Sequence, residues 1–180
     1  MSRIDENRDF IALNIAVLTV SDTRTPGDDR SGDTLAARIE AAGHRVAARA
    51  IVKDDQPALE AQLGDWIADA GIDAVISTGG TVLTGRDVTV EAHRAVYEKE
   101  IDAFGTVFTH VSMAKIGTSA VQSRACAGVA GGTYLFALPG SPSACRDAWD
   151  EILVLQLDYR HRPCNFVEIM PRLEEHRRRK

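Results

Sequence analysis

The sequence is poor in cysteine, in aromatic residues, in long apolar runs and in positive charge, and each shortage removes a class of protein. Only three cysteines occur in 180 residues, Cys126, Cys145 and Cys164. Their number is odd and no CxxC pair exists, which excludes a disulfide framework and a cysteine-based metal cage. Reduced thiols in a cytoplasmic protein are the expectation. Aromatic residues make up 6%, and no apolar run approaches the ~20 residues needed to cross a bilayer. The N-terminus mixes Arg3 with Asp5, Glu6 and Asp9 before any apolar stretch, unlike a signal peptide. The net charge is −5, whereas a nucleic-acid reader carries a basic excess. Five Lys/Arg and two Glu between Arg172 and Lys180 make the basic end a local feature, expected to be solvated. The five histidines show no HExxH spacing, so surface or hydrogen-bonded roles are expected rather than zinc ligation.

What is present is an alternation of strand and helix patterns over a length that suits one domain. Ile15–Val20 is a short β-branched run and reads as a buried strand. Ser31 opens a helix that Gly43 closes, with Leu35, Ala36, Ile39 and Ala42 at helical spacing. Arg45–Lys53 reads as a second strand. Asp55 or Gln56, followed by Pro57, starts a second helix with Leu59, Leu63, Trp66, Ile67 and Ala70 on one face. Ala74–Thr78 is a third strand. The order strand, helix, strand, helix, strand predicts a mostly parallel sheet with helices on both faces, a three-layer α/β/α fold. Further helices are predicted over Val88–Lys99, Phe104–Lys115 and Ser143–Leu157. A hairpin is predicted between Ala127–Ala130 and Thr133–Leu138 across Gly131-Gly132, and Pro163–Leu173 reads as extended. Cys145 shares a stripe with Ala148, Trp149 and Ile152 and is expected in the core.

Ligands of open α/β sheets bind beyond the carboxyl ends of the strands. Three polar segments fall there: Ser21–Thr23, Ser77–Asp87 and Pro139–Ser143. The glycine-rich segment Ser77-Thr-Gly-Gly-Thr81 can offer backbone N–H groups to phosphate. Arg86-Asp87 stands where a P-loop has Lys-Ser/Thr, which rules out a P-loop ATPase. Asp87 has two readings, a Mg²⁺ ligand or the N-cap of the next helix. Asp54 and Asp55 follow the second strand, and one of them is expected to cap. Ser21 and Asp22 suit either a ligand contact or a turn. Ser141 lies outside a GxSxG elbow, which disfavours a hydrolase nucleophile.

Read together, Leu18–Asp22, Asp28–Thr34, Ser77–Thr81, Thr84–Thr89, Ile116–Ser119, Gln122–Ala125, Leu138–Pro142 and Arg162–Asn165 resemble the molybdenum-cofactor biosynthesis proteins of the MogA/MoaB type, the MoaB branch most closely. The matching segments span about residues 13–173. This frames residues 1–12 as an extension and residues 174–180 as a basic tail. The resemblance implies a molybdopterin-binding α/β fold and a homo-oligomer, a trimer or hexamer. It also implies Mg-ATP-dependent adenylylation of molybdopterin, in which the protein positions groups and neutralises charge. By motif, it assigns Asp54 and Asp87 catalytic and Mg²⁺-binding roles, and Gly79, Gly80 and Thr81 the phosphate loop. Ser21, Asp22, Ser123, Arg124, Gly140 and Ser141 are expected near the pocket.

The chain departs from that pattern at four places. Val82 replaces a family glycine, and a valine at positive φ would be strained. Val90 replaces a proline, and Thr106 and Thr109 replace a glutamate and an arginine. A second reading is therefore a weakly active or inert oligomer that binds pterin or nucleotide poorly. A third, a nucleotide-binding regulatory domain, has only the glycine loop behind it. Phe104, Val107, Phe108 and Val111, with Val154, are the candidate apolar surface for assembly.

Overall fold

The computed structural model describes residues 3–178. The described part of the chain runs β1 (Arg3–Ile4), β2 (Asn14–Val20), α1 (Arg30–Ala41), β3 (Arg45–Val52), α2 (Gln56–Ala68), β4 (Ala74–Thr78), α3 (Thr89–Val96), β5 (Lys99–Glu100), α4 (Asp102–Ile116), β6 (Cys126–Ala130) and β7 (Thr133–Leu138). It continues through α5 (Pro142–Ala148), a π turn (Trp149–Leu153), α6 (Val154–Gln156), β8 (His161–Arg162), α7 (Phe166–Ile169) and α8 (Glu175–Arg178). The central sheet has six strands in the order β3-β2-β4-β7-β6-β5. The first four are mutually parallel, and β6 and β5 add antiparallel pairing at one edge.

Alternation along the strands sorts side chains into two cores, because successive residues of a strand face opposite ways. Ile15, Val17, Ala74, Ile76, Phe136 and Leu138 face α1, α4 and α5, where Leu35, Ile39, Phe104, Phe108, Cys145 and Trp149 meet them. Ala16, Leu18, Val20, Val75 and Leu135 face α2 and α3, against Leu59, Leu63, Trp66 and Ala92. The helices start where capping groups allow. Asp29 accepts from Gly32 N–H at the start of α1, and Asp55 accepts from Ala58 N–H at the start of α2. The predicted three-layer α/β/α order is what the structure shows.

Several expected elements differ. The third helix ends at Val96, not Lys99, because Lys99–Glu100 leaves it to pair with β6. Pro163–Leu173 is not extended: Asn165 caps the helical turn Phe166–Ile169, and a 3₁₀ turn follows at Met170–Arg172. Ala70 lies past the end of α2 and is exposed. Phe104, Val107, Phe108 and Val111 do not form one outer face. Phe104 and Phe108 are in the core, Val111 packs against it, and Val107 is exposed. Val154 also packs against the core. The chain before β2 is fastened: β1 pairs with β8, and Arg8 bonds Tyr159 C=O and Glu168. Residues 174–178 of the basic tail include α8, and the remainder of the tail lies outside the described residues.

Candidate functional site

β2, β3, β4 and β7 end at one edge of the sheet, and their following loops meet there. Gly79 has φ 102°, and a β-carbon on it would strike the Val20 carbonyl. Its N–H donates to Leu138 C=O at 3.0 Å. Gly140 in turn lies so close that a β-carbon there would sit 3.1 Å from Gly79 Cα. Gly79 and Gly140 therefore let three strand ends close on one another, and the Gly79 amide is committed to the fold. Gly80 has φ 63°, and its carbonyl accepts from Thr89 N–H at 3.0 Å. A β-carbon at Gly80 would collide with Thr89 Oγ1 and lie 2.5 Å from Asp54 Oδ1. The lack of a side chain at Gly80 keeps that space open.

The two aspartates after β3 divide the work that sequence alone leaves shared. Asp55 is the cap of α2. Asp54 Oδ1 is buried and has no hydrogen-bond partner. Burial raises the Asp54 carboxyl above its ordinary range, and the charges of Asp22 and Asp87 raise it further against the pull of Arg86. Three carboxylates thus converge on the crevice, with Arg86 bonded to Asp22 at 2.5 Å. Asp87 is not a cap, since α3 begins after Val88 with no side-chain cap. Asp87 instead accepts from Thr84 N–H at 3.1 Å and from the Thr84 hydroxyl.

The other expected residues separate by whether their polar atoms are already occupied. Ser21 Oγ accepts from the Thr23 and Arg24 amides, and Ser141 Oγ accepts from Ala144 N–H as the cap of α5. Asp22 Oδ1 accepts from Asp54 N–H at 3.4 Å. Arg124 holds the loop itself. Its Nε donates to the Thr81 and Val82 carbonyls at 3.2 and 2.9 Å, its Nη2 to Asp87 C=O at 3.0 Å, and it pairs with Glu91. Thr81 Oγ1 and Ser123 Oγ are buried without partners. Thr89 Oγ1, which motif reading did not single out, is in the same condition. An unoccupied hydroxyl has no signature in sequence.

Val82 corrects an expectation. No non-glycine residue among those described has positive φ, and Val82 is exposed. The valine is therefore not strained by a positive φ. Thr106 and Thr109 line a separate cavity with Arg94, Glu100 and Cys126.

A cavity of about 640 Å³ opens beside Ser21 and Asp22, edged by Arg24, Arg49 and Lys53. Arg49 is paired with Asp29 and Asp33, and Arg24 with Asp28. A second cavity, of about 690 Å³, lies at the opposite edge of the sheet and is lined by Asp69, Asp73, Glu98, Glu174 and Arg177. Its acidic lining disfavours a phosphate ligand. Among the described residues, no three His, Cys, Asp or Glu side chains are grouped to hold a metal ion. Asp54 with Asp87 still fits Mg²⁺, which takes one or two carboxylates and completes its shell with water and phosphate oxygens.

The profile of the family described as "Probable molybdopterin binding domain" matches residues 16–159, from β2 to just past α6. The chain belongs to this family. Molybdenum cofactor biosynthesis protein B of Escherichia coli K12 is 49% identical over 158 residues, covering 88% of this chain and 93% of that protein. A crystal structure of a molybdenum cofactor biosynthesis protein B superposes with a TM-score of 0.84 at 34% identity, covering 93% of this chain and 99% of that one. The tungsten cofactor synthesizing protein MoaB of Pyrococcus furiosus matches at 34% identity and a TM-score of 0.71, covering 79% of this chain and 91% of that one.

Proposed function

We propose that this protein acts in molybdenum cofactor biosynthesis by binding molybdopterin and adenylylating it with Mg-ATP. The observation that carries the reading is the buried, partnerless Asp54 oxygen facing the open space above Gly80. A buried acceptor without a partner is costly, and Asp54 shares this condition with the Thr81, Thr89 and Ser123 hydroxyls, which supports a place for a guest.

In the reaction, an oxygen of the molybdopterin phosphate forms a bond to the α-phosphorus of ATP. The bond from that phosphorus to the pyrophosphate oxygen breaks, and pyrophosphate leaves. The protein supplies no covalent intermediate; its work is placement and charge. Asp54 and Asp87 would hold Mg²⁺, which neutralises charge developing on the phosphates when bound. Thr81 and Ser123 have hydroxyls ready to donate to phosphate oxygens. Arg124 keeps the Thr81–Asp87 loop in shape by holding its carbonyls. At the adjoining cavity Arg24 and Arg49 are paired with aspartates, which leaves Lys53 as the lining cation that would face a polyphosphate.

The unstrained Val82 removes one ground for reading the chain as inert. The protein also assembles as a homo-oligomer, a trimer or hexamer, and works in the cytoplasm. Among the described residues no helix is long and apolar enough to cross a membrane. The deciding experiment incubates the protein with molybdopterin, ATP and Mg²⁺ and follows adenylylated molybdopterin and pyrophosphate by chromatography. Both products are expected in equal amounts. Saturable molybdopterin binding without either product would return the chain to the inert-oligomer reading.

A further inference from the structure

Thr89 is the first residue of α3, and its hydroxyl has no task in the fold. The residue is 1% exposed, and Oγ1 is buried without a hydrogen-bond partner. It does not cap α3, which starts without a side-chain cap. The backbone around it is nonetheless fixed, because Thr89 N–H donates to Gly80 C=O at 3.0 Å. The hydroxyl and Asp54 Oδ1 flank the same glycine, each where a Gly80 β-carbon would intrude. Two partnerless oxygens, one on a carboxylate and one on a hydroxyl, thus share one small space that only glycine leaves open.

The charge around that space decides its guest. Asp22, Asp54 and Asp87 all act on it, and Arg86 is already bonded to Asp22. An anion placed between Asp54 and Thr89 would be repelled, whereas a small hard cation would gain two oxygen ligands at once. The arrangement of a hydroxyl at a helix start beside a phosphate-facing loop also has a physical precedent. In P-loop enzymes a Ser/Thr at that place ligates Mg²⁺ while backbone N–H groups face the phosphates. Here the helix start and the loop are joined differently, through Thr89 N–H and Gly80 C=O, and what the two arrangements share is a hydroxyl at the helix start beside a glycine loop.

We infer that the Thr89 hydroxyl is a ligand of the divalent cation held by Asp54, placed over Gly80 to receive the metal of a metal–nucleotide complex. The inference rests on the Mg-ATP reading above and adds a neutral oxygen ligand to its two carboxylates. A neutral ligand suits this site, since a further carboxylate would add to the repulsion among Asp22, Asp54 and Asp87.

The test uses the full-length protein with Mn²⁺ as the probe. Free Mn²⁺ is followed by electron paramagnetic resonance in the presence of ATP, for the wild type, Thr89→Val, Thr89→Ser and Asp54→Asn. Thermal melting of each is recorded in chelator. Thr89→Val keeps the shape and replaces the hydroxyl by a methyl group, and its Mn²⁺ affinity is expected to fall about tenfold. Thr89→Ser keeps the hydroxyl and is expected to bind as the wild type does. Thr89→Val should melt at or above the wild type, because a buried hydroxyl without a partner contributes nothing to stability. Equal Mn²⁺ affinity in the wild type and Thr89→Val, with binding lost in Asp54→Asn, would overturn the role of Thr89 and leave the Mg-ATP reading standing. A Thr89→Val protein that is unfolded or melts well below the wild type would assign the hydroxyl to the fold and overturn the inference. Absence of Mn²⁺ binding by the wild type would overturn both.

Discussion

Asp55 accepts a hydrogen bond from Ala58 N–H at the start of α2, whereas Asp54 turns a buried oxygen without a partner toward Gly80. The same side chain at adjacent positions thus caps a helix in one case and is left with a partnerless oxygen in the other. A carboxyl raised in the folded state holds its proton more tightly there than in the unfolded chain. Its ionisation therefore lowers stability as pH climbs from the ordinary carboxylate range through the raised value. Asp54→Asn removes that loss. At pH 7 and without metal, it is expected to melt at or above the wild type, while adenylylation falls about a hundredfold or more. Differential scanning calorimetry paired with the product assay checks both halves. A variant with wild-type turnover, or one that melts lower, would show that Asp54 works for the fold. The sequence cannot tell Asp54 from Asp55, since either can cap a helix and only backbone direction separates them. Thr89 was hidden for a related reason: its residue type is common at helix starts, and its unused hydroxyl shows only once its neighbours are placed.

α3 is tied to the sheet by a buried chain of hydrogen bonds. His93 Nε2 meets Ser77 Oγ at 2.8 Å, His93 Nδ1 meets Tyr97 O–H at 3.1 Å, and Tyr97 reaches Cys126 Sγ at 3.4 Å. Burial pushes the His93 imidazole down to about 3 from an ordinary 6.5. Between those values the unfolded chain takes up a proton that the folded protein refuses. Stability at neutral pH is therefore lost as pH falls below 6.5, by about 1.4 kcal/mol for each pH unit from this one group. His93→Gln is expected to flatten the pH dependence of unfolding free energy between pH 6.5 and 4.5 by that slope. Urea unfolding at several pH values measures it, and an unchanged slope would mean that His93 takes up its proton in the folded state. At this scale the sequence was informative where periodicity was strong. The parallel strands, the Gly131-Gly132 hairpin and the helices over Leu35–Ile39 and Leu59–Trp66 follow from apolar spacing. Two-residue strands such as β5 and β8 are too short to show a period. The segment near Phe166 reads as extended because its helical turn, Phe166–Ile169, spans barely one repeat of a helical pattern.

The whole chain leaves several large apolar side chains in water. Val107, Met113 and Ile116 lie on α4, Val121 lies on the 3₁₀ segment Gly117–Gln122 that follows it, and Leu83 lies on the loop that Arg124 holds. Scattered apolar exposure is ordinary, but its concentration on one helix and the turn that follows is the expected mark of an assembly surface. Light scattering at micromolar concentration is expected to give three or six times the 19.5 kDa chain mass. The double variant Ile116→Glu with Val121→Glu should shift that mass toward the monomer while keeping its circular dichroism. A monomeric wild type would overturn assembly through this surface.

The hold of Arg124 couples the loop after β4 to α3. One guanidinium fastens the loop at both ends, at Thr81 and Val82 on one side and at Asp87 on the other. The two ends of the loop are thus tied to a single side chain, and loss of that side chain removes both ties at once. The guanidinium is seated in turn against Glu91 on α3, so releasing it frees a partner charge on the helix whose first turn carries Thr89. A change at position 124 therefore reaches the glycine loop and the first turn of α3 together.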